Sequence, residues 1–169
     1  INLLGVMLGC QTAISLMRRN PNGASGSIIN TASSTSFLAI PDVAYTTSKA
    51  GIVGLTKSVA VHCANEGFNI RCNSIHPGAT LTNILRTAIE QTPDVEDACK
   101  KMSPLNRMGT VEEVAAASQK FLAARPNHGG PRSVSARGWP RTVFQIQHVF
   151  ETLIGISGLR YVARPTSDA

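Results

Sequence analysis

The chain has 169 residues, of which 43% are hydrophobic and 15% charged, and its formal net charge is +6. This composition excludes a disordered chain, and no apolar run approaches the roughly 20 residues that a transmembrane helix needs. Residues 1–122 carry ten Lys/Arg against eight Asp/Glu (+2), and residues 123–169 carry six Arg against two acidic residues (+4). No arginine cluster interleaved with aromatic residues accompanies this basic tail, so we expect no nucleic-acid partner and no membrane partner.

The four cysteines are scattered and include no Cys-x-x-Cys pair: Cys10, Cys63, Cys72 and Cys99. Scattered cysteines of this kind are typical of buried free thiols in a reducing compartment, so we expect a cytoplasmic protein. His62, Cys63, Cys72 and His76 are candidate zinc ligands by residue type. Their spacing matches no usual ligand pattern, and we therefore expect no metal site.

The first part of the chain predicts a helix followed by a strand. Apolar residues recur at steps of four and three over residues 3–19, which predicts a helix: Leu3, Met7, Cys10, Ile14 and Met17. Asn, Pro and Gly in "RRNPNGASG" (Arg18 to Gly26) predict a turn. The β-branched run "SIINTA" (Ser27 to Ala32) predicts a buried strand. A Ser/Thr-rich loop with Pro41 and Asp42 comes next.

The same order then repeats. An apolar stripe predicts a helix from about Val43 to Asn65, ended by Gly67: Ile52, Leu55, Val59 and Cys63. "NIRCNSI" (Asn69 to Ile75) predicts a second short strand, stopped by His76-Pro77-Gly78. Helix, strand, helix and strand with short connections predict parallel strands joined by a right-handed crossover, which is an α/β architecture.

The rest of the chain divides at about residue 123. Residues 79–103 are polar and predict two short helices near 83–91 and 94–102. "TVEEVAAASQKFLA" (Thr110 to Ala123) predicts a helix with Thr110 as its N-cap and Glu113 completing a capping box. Residues 124–169 are rich in Arg, Pro and Gly, and only the segment 143–154 keeps a helical apolar spacing.

Tyr45 and Lys49 are the residues most suited to acid–base chemistry. Residues four apart on a helix lie on one face, with Cβ atoms about 5–6 Å apart. At such a distance and an effective dielectric near 20, an ammonium and a phenolate attract each other by about 3–4 kcal/mol. Lys49 would therefore favour a Tyr45 phenolate able to exchange a proton with a hydroxyl group near neutral pH. The same spacing also occurs on solvated helices, so the pair alone leaves both interpretations open.

Polar residues at the predicted sheet edge favour the catalytic interpretation. Ser33 follows the first strand directly, at the carboxyl edge where open α/β sheets bind ligands. Its hydroxyl could hydrogen-bond a substrate oxygen, although Ser34 and Ser36 are alternatives and serine is common in turns. The second strand ends at the same edge and is followed by "HPGATLT", in which Gly78 allows a flat ligand to approach the backbone.

Together, these motifs resemble the short-chain dehydrogenase/reductase family, in its catalytic half. "INLLGVMLG", "GSIINTAS", "YTTSK" and "NIRCNSIHPGATLT" follow one another at family-like spacings, and "SPLNRMGTVEEVAAASQKFLA" resembles the segment near the family's end. The resemblance covers about residues 1–123. It implies part of a doubly wound, Rossmann-like parallel sheet that lacks the N-terminal nucleotide-binding strands.

The resemblance also implies an activity and a set of site residues. Tyr45 would be the acid/base, Lys49 would assist it and hold the cofactor ribose, Ser33 would orient the substrate, and Asn2 would anchor a water molecule. Cofactor binding, to NAD or NADP, would involve Tyr45 and Lys49 together with four residues after the second strand: Pro77, Gly78, Thr80 and Thr82. The substrate would be a secondary alcohol or ketone, and the motifs look most like those of hydroxysteroid and cyclic-alcohol dehydrogenases.

Two departures from the family limit this interpretation. The glycine-rich turn that cradles the cofactor pyrophosphate is missing, so residues 1–123 are expected to be a catalytic half that is inactive alone. Residues 124–169 replace the family's usual ending, which indicates a frameshift or an unusual extension. The alternative function is an inactive fragment or a binding module that keeps the family's fold pattern.

The two long helices carry apolar faces that allow a further expectation. In the family, the corresponding helices pack against a second subunit, so the complete protein is expected to be a homodimer or homotetramer. Ala50, Gly51 and Gly54 would permit close helix approach. The alternative is that both apolar faces cover the sheet.

Overall fold

The computed structural model describes residues 1–123, so the expectations for residues 124–169, including the helical segment 143–154, lie outside the described residues. The described part contains five α-helices, two strands and a short 3-10 turn over Ser34–Ser36. Their bounds are α1 (Leu4–Met17), β1 (Ser25–Thr31), α2 (Val43–Asn65), β2 (Asn69–Ile75), α3 (Asn83–Gln91), α4 (Asp94–Lys101) and α5 (Val111–Ala123). Within residues 1–123, no helix has both the length and the apolar character needed to cross a bilayer.

The two strands pair in parallel, and α2 is the crossover between them. Their register runs from Ser25 opposite Asn69 to Thr31 opposite Ile75. The ladder continues beyond the strands, because the Ala32 amide donates to the Ile75 carbonyl over 2.9 Å. Parallel strands end at the same edge of a sheet, so the residues that follow β1 and β2 are brought together there.

One face of the sheet is covered by α1 and α2 through a small core that includes three of the cysteines. Its buried members come from both helices and both strands: Cys10, Ile28, Cys63, Ile70 and Cys72. All four cysteines are free thiols, as the sequence predicts. Burial raises the pKa of the Cys72 thiol to about 12, so this sulfur is a packing group rather than a nucleophile.

Asn30 is a polar centre inside this core and is only 6% exposed. Its amide nitrogen donates to the Thr56 hydroxyl over 2.9 Å and contacts the Cys72 sulfur at 3.5 Å. Its amide oxygen accepts from the Cys10 thiol at 3.5 Å. One side chain on β1 therefore contacts α1, α2 and β2, which fixes how the helices lie on the sheet.

The opposite face of the sheet is covered by α5. Ile75 and Ala117 are buried there, and partly buried Ile29 packs against them. Arg71 of β2 donates to the carbonyls of Phe121 and Leu122 at the end of α5, at 3.0 and 3.2 Å. Helices on both faces of a parallel sheet make the three-layer α/β arrangement that the sequence predicts.

The capping box at the start of α5 is confirmed. The Glu113 amide donates to the Thr110 hydroxyl over 3.2 Å, and the Thr110 amide donates to the Glu113 carboxylate over 2.9 Å. Arg107 also pairs with this carboxylate through two hydrogen bonds of 2.6 and 3.0 Å. The arginine and the amide together hold the pKa of Glu113 well below its usual range, at about 2.

The predicted elements agree with the structure except at several ends. The first helix covers Leu4–Met17 rather than 3–19, and β1 begins at Ser25, two residues before the predicted start. The last residues of the predicted first helix instead continue as turns, with the Arg19 amide bonded to the Leu16 carbonyl. The fourth helix ends at Lys101 rather than at residue 102.

Candidate active site

Tyr45 lies in the first turn of α2, where the local sequence fixes its backbone. Asp42 is the N-cap of this helix, and its carboxylate accepts a hydrogen bond from the Tyr45 amide at 2.9 Å. The Ser48 hydroxyl donates to the Tyr45 carbonyl over 2.8 Å. The capped start keeps the tyrosine in regular helix, so its side chain and that of Lys49 share one helical face.

Lys49 lies between the tyrosine ring and the end of the first strand. Its Nζ is 5.6 Å from the centroid of the Tyr45 ring, over the ring face. The same Nζ donates to the carbonyl of Thr31, the last residue of β1, at 3.2 Å. The Ser36 hydroxyl donates to the Lys49 carbonyl over 2.9 Å. The ammonium therefore links the acid–base candidate of α2 to the carboxyl edge of the sheet.

Ser33 lies two residues beyond β1 and is only 8% exposed. Its backbone is extended, and its hydroxyl oxygen accepts from the Thr35 amide at 3.2 Å, which caps the 3-10 turn. A serine oxygen that accepts one hydrogen bond still has its own O–H to donate. Of the two alternative serines, Ser36 already donates its hydroxyl to the Lys49 carbonyl, and Ser34 is buried in the 3-10 turn.

Asn2 and Tyr45 share an open groove of about 680 Å³ between the starts of α1 and α2. The other lining residues are Ile1, Leu3, Leu4, Met7, Asp42, Ala44 and Ser48. The wall is thus mostly apolar, with hydroxyl, amide and carboxylate groups among its lining residues. The structure brings Asn2 and Tyr45 to one groove, whereas Ser33 lies at the exit of β1 and is not among the residues that line this groove.

The predicted cofactor residues follow β2. An added Cβ at Gly78 would meet no atom within 4 Å, so open space lies beside this backbone. The Thr80 hydroxyl donates to the Gly78 carbonyl over 3.1 Å, and the Thr82 hydroxyl oxygen accepts from the Leu85 amide at 3.4 Å as the N-cap of α3. Gly109 holds this loop from the other side, because its carbonyl accepts from the Leu81 amide at 2.9 Å.

Two residues of the site have local functions that the sequence interpretation did not assign. Asp42 caps α2, and its position three residues before Tyr45 is the signal that could have found it. His76 contacts the carbonyl oxygen of Ser33 through Nδ1 at 3.2 Å and the Ser74 hydroxyl through Nε2 at 2.8 Å. The sequence gives no signal for the contact between His76 and Ser33, because these two residues are 43 positions apart.

The candidate zinc ligands do not form a metal site in the described part of the chain. No group of three or more His, Cys, Asp or Glu side chains is placed there to hold an ion. Cys63 and Cys72 belong to the apolar core, whereas His76 lies at the sheet edge. The structure therefore places two of the four candidates in the core and a third at the sheet edge.

Comparison with known proteins identifies related chains. A family model described as enoyl-(acyl carrier protein) reductase matches residues 1–126. Over 124 residues the chain is 39% identical to 2-(R)-hydroxypropyl-CoM dehydrogenase of Xanthobacter autotrophicus, covering 73% of this chain and 47% of that protein. It is 40% identical over 90 residues to 3-beta-hydroxysteroid dehydrogenase of Comamonas testosteroni, covering 53% of this chain and 34% of that protein. The solved structure of ElxO with NADP bound matches with a TM-score of 0.62 and 31% identity, covering 75% of this chain and 49% of that one.

The chain thus spans about half the length, or less, of the relatives it matches. The matched region contains both strands, both long helices and the Tyr45–Lys49 pair. The predicted fold class, part of a doubly wound Rossmann-like sheet, is confirmed by these neighbours. On this evidence the chain belongs to the short-chain dehydrogenase/reductase family of oxidoreductases.

Proposed function

We propose that residues 1–123 are the catalytic half of an NAD(P)-dependent oxidoreductase that interconverts a secondary alcohol and a ketone. The observation that carries this proposal is the position of Lys49, whose Nζ lies 5.6 Å from the Tyr45 ring centroid and 3.2 Å from the Thr31 carbonyl. An ammonium held at that place puts a positive charge next to the acid–base candidate. It does so beside the strand edge where sheets of this type bind ligands.

The proton chemistry is assigned to four side chains. In the oxidation direction the Tyr45 oxygen takes the proton of the substrate hydroxyl, and in the reduction direction it returns that proton to the ketone oxygen. Lys49 assists this proton exchange from its place over the tyrosine ring. Ser33, whose O–H remains available, orients the substrate oxygen. Asn2 borders the groove beside Tyr45, where its amide can hold a water molecule for proton exchange.

The residues after β2 fit one end of a nicotinamide cofactor. Open space beside Gly78 allows a flat ring to approach the Pro77–Gly78 backbone. The Thr82 hydroxyl uses its oxygen to cap α3 and keeps its O–H as a donor, whereas Thr80 uses its O–H on Gly78 and keeps its oxygen as an acceptor. When bound, the cofactor supplies the hydride donor or acceptor that protein side chains lack.

The pyrophosphate end of such a cofactor lacks its usual binding element. The family's glycine-rich turn does not occur anywhere in residues 1–169. This observation favours the second candidate function, an inactive fragment or binding module, for the chain on its own. We therefore propose activity only for a longer protein in which a nucleotide-binding segment precedes Ile1, with residues 124–169 as a separate extension or frameshifted end.

The test compares tyrosine variants of that longer protein. Reduced nicotinamide absorbance is followed with NAD and NADP and with a panel of secondary alcohols that includes hydroxysteroids, because one relative is a hydroxysteroid dehydrogenase. We expect Tyr45→Phe to slow turnover by about 10²–10⁴-fold, the usual contribution of a general acid–base group, with nearly unchanged cofactor affinity. The control is Tyr161→Phe, at the other tyrosine of residues 1–169. A Tyr45→Phe protein with most of its activity would remove Tyr45 from the mechanism.

The partner proposal concerns the outer faces of α1 and α2. Cys10 of α1 faces the sheet, but Leu4, Leu8 and Leu16 of the same helix are 57%, 51% and 59% exposed. The interpretation that both apolar faces cover only the sheet therefore leaves these leucines unexplained, and we propose that the complete protein forms a homodimer or homotetramer through them. In sedimentation, Leu8→Lys should reduce the assembly, whereas Leu105→Lys, at a residue 46% exposed, should not.

Location in the cytoplasm belongs to the same proposal. It is tested by fractionating cells that produce the complete protein. Recovery with the secreted or membrane fraction would contradict it.

A further inference from the structure

His76 is a half-buried imidazole whose two nitrogens both have partners. Nδ1 lies 3.2 Å from the Ser33 carbonyl oxygen, and Nε2 lies 2.8 Å from the Ser74 hydroxyl. A carbonyl oxygen can only accept, so Nδ1 must carry the proton of a neutral ring. Nε2 then accepts from the Ser74 hydroxyl. The contacts thus select one of the two neutral tautomers of His76.

The surroundings of the ring favour this neutral form. Burial lowers the pKa of His76, which outweighs the opposing effect of the Ser33 carbonyl, and nearby Lys57 lowers it further. The ring also packs against Phe37, with centroids 4.7 Å apart. The hydrogen bonds of the two ring nitrogens therefore set the tautomer of His76, and together with the Phe37 contact they set the orientation of the ring.

The bond from His76 adds to the hydrogen bonds that hold the Ser33–Ser34 peptide group, which contains the Ser33 carbonyl and the Ser34 amide. The ladder between the two strand exits uses the amides of Ala32 and Ser34, which donate to the Ile75 and Pro77 carbonyls at 2.9 Å each. These bonds flank Ser33 on both sides. The carbonyl of Ser33 instead accepts from the Ser36 amide at 3.0 Å and from the imidazole.

We propose that His76 is a positioning residue that helps to fix the Ser33–Ser34 peptide group and thereby aims the serine hydroxyl at the substrate oxygen. This inference rests on the proposed role of Ser33 in the reaction. In this role the imidazole acts through Ser33 rather than on the substrate directly. Its effect passes through the Ser33 carbonyl, because rotating that peptide group would also disturb the bond from the Thr35 amide to the serine oxygen.

The first test needs no activity and uses the full 169-residue chain. Nitrogen-15 labelling of histidine and NMR show which ring nitrogen carries the proton, and loss of the signal in His76→Asn assigns it among the four histidines. We expect the Nδ1–H tautomer, which is selected by the carbonyl of Ser33. An Nε2–H tautomer would overturn the proposal, because its Nδ1 could not donate to a carbonyl.

The second test is a double-mutant cycle in the longer, active protein. His76→Ala should lower kcat by about tenfold, the loss expected for one buried hydrogen bond, with cofactor binding unchanged. His76→Asn, whose amide nitrogen can donate to the same carbonyl, should recover most of that loss. In a Ser33→Ala background, His76→Ala should have no further effect on kcat, because the group that it positions is gone.

The outcomes separate this inference from the proposed function. An equal loss from His76→Ala in both backgrounds would overturn the positioning role and indicate a general structural role. A Ser33→Ala protein with unchanged kcat would overturn the role of Ser33 in the proposed function, and the inference with it. An Nε2–H tautomer together with an inactive Ser33→Ala protein would overturn the inference alone.

Discussion

Replacing Asn30 by aspartate tests the polar centre of the core with almost no change in shape. Asn30→Asp converts the amide nitrogen, which contacts Thr56 and Cys72, into a carboxylate oxygen at a position only 6% exposed. The Thr56 hydroxyl can reverse and donate to that oxygen. No cationic side chain is among the hydrogen-bond partners of Asn30 in residues 1–123, so the new charge is buried without an ionic partner.

The expected cost follows from burying that charge. Moving a single carboxylate out of water costs several kcal/mol even after relaxation of the protein. One remaining good hydrogen bond offsets about 1–2 kcal/mol of this, because bonds to charged groups are stronger than neutral ones. We therefore expect Asn30→Asp to lower the free energy of unfolding by about 3 kcal/mol at pH 7. With a urea m-value of about 2 kcal/mol/M, the unfolding midpoint falls by about 1.5 M.

The cost of Asn30→Asp should depend on pH with a definite sign. Burial raises the pKa of the new carboxyl above about 3.9, the value of free aspartate, so the folded protein binds a proton that the unfolded chain has released. The stability of the variant relative to the parent therefore falls as the pH rises from about 4 to 7, and is partly recovered at pH 4.

The assay is urea unfolding of parent and variant at pH 4 and pH 7. Asn69→Asp, at an exposed position of β2, is the matched control and should change the midpoint by less than about 0.3 M at either pH. If the unfolding midpoint of Asn30→Asp falls only as much as that of the control, or falls equally at both pH values, Asn30 is not buried as described.

Three further predictions concern the core, the start of α5 and the thiols. Ile52 is 0% exposed, so Ile52→Ala should lower the free energy of unfolding by about 2–5 kcal/mol, whereas Val61→Ala, at a residue 43% exposed on the same helix, should lower it by less than about 1 kcal/mol. Equal losses for the two variants in urea unfolding would contradict the packing of α2. The pKa of Glu113 is lowered to about 2 by Arg107, so its contribution to stability is complete above pH 4.5 and is lost as the pH falls toward 2. Glu113→Gln should therefore lower the melting temperature at pH 7 but not at pH 2, and an equal lowering at both pH values would contradict the ion pair. Of the four thiols only Cys99 is not buried, so iodoacetamide at pH 8 should modify Cys99 first in the folded chain by mass spectrometry, and equal labelling of all four would contradict the core.

The order and type of the elements were predictable because local signals agree with tertiary packing. Gly67, which ends the second helix in the sequence interpretation, has a φ of +70°, a conformation that glycine adopts without strain. The capping box at Thr110 and Glu113 needs only residues three apart. Both signals act within one turn of the chain, where sequence spacing determines which groups meet.

Contacts between distant segments were not predictable in the same way. The apolar stripe predicted for α2 contains Ile52 and Cys63, which are buried, but Thr56, which is also buried, was not predicted. A threonine faces the core there because Asn30, 26 positions away, donates to its hydroxyl. No periodicity in either segment indicates that the two polar groups satisfy each other.

The same distinction between local spacing and contacts of distant segments holds for the residues of the candidate site. The pairing of Tyr45 with Lys49 depends on helical spacing, and the structure has the amine over the ring. The place of Ser33 at the strand exit follows from the end of an apolar run. The bond from Lys49 to Thr31 and the contact of His76 with Ser33 depend on how α2 and β2 pack beside β1, which spacing alone does not determine.

The parallel pairing of β1 and β2 has a consequence for the kinetics of folding. Ser25 pairs with Asn69 and Thr31 with Ile75, so every rung of the ladder joins residues 44 positions apart. Such pairing cannot grow outward from a tight turn as a hairpin does, and the entropy of closing a long loop is lost before the first rung forms. Early formation of α2 shortens that loop, since a helix rises only about 1.5 Å per residue. We therefore expect the folding rate of this chain to depend on how early the helix that carries Tyr45 and Lys49 forms.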